Sequence, residues 1–198
     1  MNKPLSLVLI LLSLFLGGCS GGVGGTGDGA PAETAADEAP AASDGGSSEG
    51  GGAGSLVTPR GIIFDEALNR ALVIDPERKA VIAIDLASGT SSIVSDSSTP
   101  NATNAFEDPR GIAMDKALSR VVFVVDTGRK AIIAVDLSNG ARSVISSNTA
   151  PSGQVRFNNP LGIVIDSANS RALVTDSGLH AIVAVDLSTG ARTIIGNQ

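Results

Sequence analysis

The feature that most constrains this chain is a threefold internal repeat. "PRGIIFDEALNRALVIDPERKAVIAIDLASGTSSIV" begins at Pro59, "PRGIAMDKALSRVVFVVDTGRKAIIAVDLSNGARSVI" at Pro109 and "PLGIVIDSANSRALVTDSGLHAIVAVDLSTGARTII" at Pro160. Gly61, Gly111 and Gly162 set the period at 50 and 51 residues. Three classes of aspartate recur: Asp65, Asp115 and Asp166; Asp75, Asp126 and Asp176; Asp85, Asp136 and Asp186. Arg70, Arg120 and Arg171 match one another, as do Gly89, Gly140 and Gly190. An apolar anchor, Leu56, Phe106 or Phe157, stands three residues before each proline. A unit of this length cannot bury its apolar faces alone, so the copies must stack.

Each unit holds four short runs rich in Val and Ile, in the third copy "GIVID", "RALVTD", "HAIVAVD" and "ARTII". The gaps between them carry turn chemistry. "DSANSR" is polar and short enough for a hairpin. "DSGLH", "DTGRK" and "DPERK" turn the chain with Asp and a Gly or Pro. The third gap, "DLSTG" in the last copy, ends on glycine in all three, where a turn needs positive φ. Nothing from Leu56 onward sustains a helical period. Each unit is therefore predicted to be a four-stranded antiparallel meander, and four strands at this spacing mark a β-propeller blade.

The wording of the repeat, an aromatic, then Pro-x-Gly-Ile, then Asp, then "AVDLxTG", resembles the NHL repeat and the related gluconolactonase (regucalcin)-type propellers. The resemblance spans Leu56 to Gln198 and implies six blades in one ring, whereas three are present. The expected fold is thus all-β: three four-stranded blades, at about 56–105, 106–156 and 157–198, forming half of a six-bladed ring. A lone stack of three would leave an apolar face in water at each end. Two copies related by a two-fold axis could close the ring as a homodimer. The alternative is a truncated relic of a longer propeller without a molecular role.

Upstream, "MNKPLSLVLILLSLFLGGC" has Lys3, an apolar run from Leu5 to Leu16 and small residues at Gly17-Gly18, which is the grammar of a secretory signal. "LGGC", Leu16 to Cys19, resembles the lipobox of bacterial lipoproteins and implies that Cys19 is lipidated and becomes the mature N-terminus. Ser20 after it implies sorting to an outer membrane if the host has one. Cys19 is the sole cysteine, so an internal disulfide is impossible. Residues 20–55 are nearly all Gly, Ala, Ser, Thr, Pro, Asp and Glu, a composition that builds no core and is expected to be a disordered tether spanning roughly 30–36 Å. The tether holds six acids and no base, whereas the residues from Leu56 hold 13 Lys+Arg against 14 Asp+Glu. The acidity of the chain therefore belongs to the tether, and the repeat region has no basic stripe for nucleic acid.

Carboxylates do acid, base or calcium chemistry only where several converge. Here each class occurs once per blade, so Asp85, Asp136 and Asp186 are expected to cap the glycine turn. Asp75, Asp126 and Asp176 are expected to end the second strand and tie a loop to the next blade. The residue inside Pro-x-Gly is expected to reach the central channel. In gluconolactonase-type families the resemblance implies metal ligands there, an Asn and an Asp, plus a Glu in Glu-x-Pro. "EDP" supplies Glu107, but the slot holds Arg60, Arg110 and Leu161, and arginine repels a divalent cation such as calcium. Arg60 and Arg110 could instead hold a carboxylate or phosphate, or pair with a neighbour such as Asp108. His180 is the sole histidine, expected to be solvated on an outer hairpin, so a histidine-based triad or metal site lacks its members. There is no Trp or Tyr for glycan stacking. The expectation is a lipid-anchored extracytoplasmic binding protein for a protein, peptide or small anion, with no cofactor. The alternative is a metal-dependent lactonase or esterase.

Overall fold

The computed structural model describes residues 54–115, 121–151 and 155–197. The chain divides into two units, Met1–Gly46 and Ser47–Gln198, and every described residue belongs to the second. The signal peptide, Cys19 and nearly all of the expected tether lie outside the described residues, as does Arg120.

Twelve strands form three separate four-stranded sheets. The first contains β1 (Ile62–Asp65), β2 (Arg70–Asp75), β3 (Ala80–Asp85) and β4 (Ser91–Ser95). The second contains β5 (Pro109–Met114), β6 (Val121–Asp126), β7 (Ala131–Asp136) and β8 (Arg142–Ser147). The third contains β9 (Pro160–Asp166), β10 (Arg171–Asp176), β11 (Ala181–Asp186) and β12 (Arg192–Asn197). Within each sheet the strands lie in chain order and pair antiparallel, as in Ile62 opposite Val73 and Val73 opposite Ile82. The only helical piece among the described residues is a 3-10 turn at Ser167–Asn169.

The sheets stack face to face, and the pleat explains the sequence of the middle one. Val122 and Val124 of β6 join Leu72, Ile74, Val81 and Ala83 of the first sheet in one apolar cluster. Phe123 and Val125, pointing the other way, join Ala172, Val174, Val183 and Val185 of the third sheet in a second cluster. A strand buried on both faces has no polar alternation, hence "VVFVV". The anchors enter the same layers: Phe106 lies in the first cluster and Phe157 in the second. Each is therefore buried between its own sheet and the preceding one, and a buried aromatic contributes about 2–3 kcal/mol.

Two glycines allow the close approach. A Cβ on Gly61 would stand 2.7 Å from the carbonyl oxygen of Arg110, and one on Gly111 would overlap the carbonyl oxygen of Leu161. The first strands of neighbouring sheets thus lie backbone against backbone, which makes them the innermost strands of the stack.

The turns differ from the sequence reading in one respect. Gly89, Gly140 and Gly190 take φ of 72°, 73° and 72°, as a turn ending on glycine requires. In the second turn, however, positive φ falls on Lys79, Lys130 and His180, and the Gly or Pro is elsewhere in the turn. The aspartate four residues earlier holds each of those turns by accepting N–H groups from it, so the strain is carried by hydrogen bonds instead of by residue choice.

Candidate functional site

Asp75, Asp126 and Asp176 are buried, at 0%, 0% and 1% exposure. Asp126 accepts N–H groups from Glu107 at 2.8 Å, Asp108 at 3.0 Å and Arg129 at 3.1 Å. Asp75 does the same for Val57, Thr58 and Arg78, and Asp176 for Asn158, Asn159, Gly178 and Leu179. The segment each one holds is the lead-in to the first strand of its own sheet. The expected tie to the next blade is therefore corrected: the antiparallel register of the first and second strands puts the end of the second beside the start of the first. Burial works against the Asp75 carboxylate, but the N–H groups of Val57, Arg78 and Thr58 together hold its pKa below the ordinary value.

Asp85, Asp136 and Asp186 cap the third turn at the opposite end. Asp186 accepts from Ser188 and Thr189 N–H at 2.9 and 2.8 Å and from the Ser188 hydroxyl at 2.6 Å. Asp85 has the N–H groups of Ala87 and Ser88, and Asp136 that of Ser138. Asp65 and Asp166 pair across the first hairpin with Arg70 and Arg171, each at 2.8 Å. Asp115 accepts the Ser167 hydroxyl of the third sheet at 2.9 Å.

At the lead-in end, the slot residues separate. Arg110 is gripped by Asp108 through two 2.8 Å hydrogen bonds, and that contact raises its pKa. Arg60 is exposed, and its guanidinium has no ion-pair or hydrogen-bond partner among the described residues. Leu161 is half-buried and Glu107 exposed. Asp65, Asp85, Asp136, Asp166 and Asp186 sit at the far end of the strands, where Arg70 and Arg171 pair with two of them, while Asp75, Asp126 and Asp176 sit at the lead-in end. Among the described residues no three His, Cys, Asp or Glu converge as metal ligands would, and no helix is long and apolar enough to cross a membrane.

His180 is exposed and stands on the turn between β10 and β11, the second turn of its blade. It borders a depression of about 460 Å³ lined by Thr175, Ile182 and Gly196 among others.

Two buried arginines escaped the sequence reading. Arg142 lies over the Phe106 ring at 5.6 Å and donates to carbonyl oxygens of Asp96, Thr99, Asn101, Thr103 and Asn104 in the connection from the first sheet. Arg192 lies over Phe157 at 5.2 Å and reaches Ser147 and Val155 in the next connection. Desolvation lowers the pKa of both. The signal that could have found them is a paired change: where the anchor is Leu56, the arginine position holds Ser91.

By sequence, no protein-family model and no curated protein matches the chain. By structure, it is similar to a chain of the nidogen/laminin complex, with TM-score 0.54, 22% identity, 70% of this chain and 48% of that one covered. A gluconolactonase from Xanthomonas campestris gives TM-score 0.55 and 16% identity, over 72% and 48%. The extracellular domain of a putative hybrid two-component system from B. thetaiotaomicron gives 0.57 and 11%, over 75% and 20%. The chain thus spans about half the length, or less, of the solved chains it matches. At these identities the likeness concerns architecture, and with the three stacked meanders it shows that the chain folds as three consecutive β-propeller blades.

Proposed function

We propose that the chain is an exported protein, anchored to a membrane through a lipid on Cys19, that works by binding and not by catalysis. Its ligand, a small anion or an acidic segment of a protein or peptide, meets the lead-in end of the blades, with Arg60 and Arg110 as the cationic groups. One observation carries this reading. Asp75, Asp126 and Asp176, the recurring carboxylates of this end, are taken up by backbone N–H groups, while Arg60, with no partner among the described residues, presents its guanidinium there. The lactonase alternative keeps Glu107 of its three-part site.

Thermal melts in inorganic phosphate or malate test the binding reading. Either anion is expected to raise the midpoint of the wild-type chain, and Arg60→Ala to abolish the rise; no shift with any anion would count against it. In parallel, calcium, zinc or manganese would raise the midpoint of a metal-dependent lactonase, and chelator would abolish its lactone hydrolysis.

A further inference from the structure

The contact between blades is a repeated joint, and each of its parts recurs at the two ends of the stack without a mate. The joint has a knob, a seat and two close backbone approaches. Phe106 and Phe157 are knobs buried in the layers between blades, to which the preceding blade contributes Leu72, Ile74, Val81 and Ala83 for the first and Phe123, Val125, Ile132 and Ala134 for the second.

On the third blade the same seat is open. Its floor at Ile182 is 41% exposed, where the matching Val81 and Ile132 are 0%. The depression of about 460 Å³ edged by Thr175, Ser177, His180 and Gly196 lies over this seat, at positions matching Val125, Thr127, Lys130 and Ser146 of the second blade. In the occupied joint Thr127 donates its hydroxyl to the Pro160 carbonyl at 2.5 Å, and Lys130 donates to the Asn158 carbonyl. His180 stands at the place of Lys130, and Ser177 puts a hydroxyl at that of Thr127, held meanwhile by Asn159 of its own lead-in. Val164 is 60% exposed against 7% for its counterpart Ala113. Gly162 keeps the residue that admits a neighbouring backbone, yet a Cβ there would meet only the Thr175 hydroxyl.

On the first blade the knob is unseated. Leu56 is 38% exposed, against 2% for both Phe106 and Phe157. Ile62 is 65% exposed and Phe64 55%, whereas Ile112 and Ile163, the counterparts of Ile62, are 7% and 9%. Gly89 has open space where Gly140 and Gly190 receive the carbonyl oxygens of Val94 and Ile145 from the blade before.

We infer that a second copy of this chain completes the joint: Leu56 of each copy enters the Thr175–Ile182–Gly196 seat of the other, and six blades close into one ring. The occupant follows from continuity with the two joints already made, since the free knob and the free seat belong to one chain and match the filled pairs position by position. Closure follows from number. Propellers close with about four to eight blades, and six is the multiple of three in that range. A head-to-tail contact that did not close would polymerise instead. The ring also brings Arg60 and Arg110 of both copies to one inner wall.

Light scattering of the full chain, purified in detergent, reads the mass. Two chains per particle are expected at micromolar concentration, with monomers for Leu56→Asp and for Ile182→Lys. Mixing these two variants should restore the dimer, because the mixed ring has one unaltered joint and one that pairs Asp with Lys. The mixing arm stands even if one variant is less stable, since it asks only whether two monomeric populations combine. A monomeric wild type, the result if residues 1–53 or a further blade of a longer chain cover these faces, overturns the proposal. So do open polymers, and so does a mixture that stays monomeric.

Discussion

The aspartates show how little a recurring carboxylate says until its partners are seen. Asp126 and Asp186 stand in similar sequence surroundings, each ending a strand before a turn, yet one is buried and clamps a lead-in while the other caps an exposed turn. Exposure does not leave Asp186 unperturbed: the Ser188 hydroxyl, then the N–H groups of Thr189 and Ser188, bring its pKa from 3.8 to about 2. A depressed pKa means that the folded chain holds its proton less tightly than the unfolded one. The stabilisation is therefore complete above the ordinary value of 3.8 and is lost as pH falls through about 2. Asp186→Asn keeps the acceptor and removes the titration, so the melting midpoint should fall less steeply with acid across that window than in the wild type. Circular dichroism melts at a series of pH values measure it, and an unchanged slope would remove Asp186 from the account.

At the scale of the element, a turn of one type meets two environments. Gly89 and Gly140 have nearly the same φ, 72° and 73°, so an alanine at either carries the left-handed strain of about 1–2 kcal/mol. At Gly89 nothing further happens, because no atom lies within contact distance of the new methyl. At Gly140 the methyl would drive into the Val94 carbonyl and the Pro100 ring of the first blade, adding about 1–3 kcal/mol of overpacking. Gly140→Ala should thus cost roughly twice what Gly89→Ala costs in urea unfolding. Equal costs would mean that the blades yield at this contact. The strands themselves were legible from Val and Ile runs and their turn residues, and so was the glycine at the third turn. The positive φ of Lys79, Lys130 and His180 was not, since those side chains carry no conformational signature and the strain is offset by hydrogen bonds to the aspartate that opens the turn.

For the whole molecule the same comparison separates folding from association. Gly111→Ala would push the first strand of the third blade off that of the second, and should lower the unfolding midpoint by the equivalent of about 2–3 kcal/mol. Gly162→Ala meets, among the described residues, only the Thr175 hydroxyl, so relieving the contact costs at most the hydrogen bond that this hydroxyl accepts from the Gly162 N–H, and monomer stability should fall far less than for Gly111→Ala. If the ring forms, the same change should shift dimer toward monomer at equal concentration. Melts together with light scattering test both halves, and a Gly162→Ala as destabilising as Gly111→Ala would show that the two positions are alike. By itself the sequence determined the blade: its period, its four strands, its turns and its two apolar faces follow from local chemistry repeated three times. Only the tertiary structure decided which side of each blade meets which. It also showed that Asp75 and its counterparts bind their own lead-ins, that Arg110 is held by Asp108 while Arg60 is free of an ion pair, and that one knob and one seat remain unmatched. Apart from the pair of Asp108 with Arg110, these are relations between residues distant in the chain, and no local pattern of side chains encodes a distance across a stack.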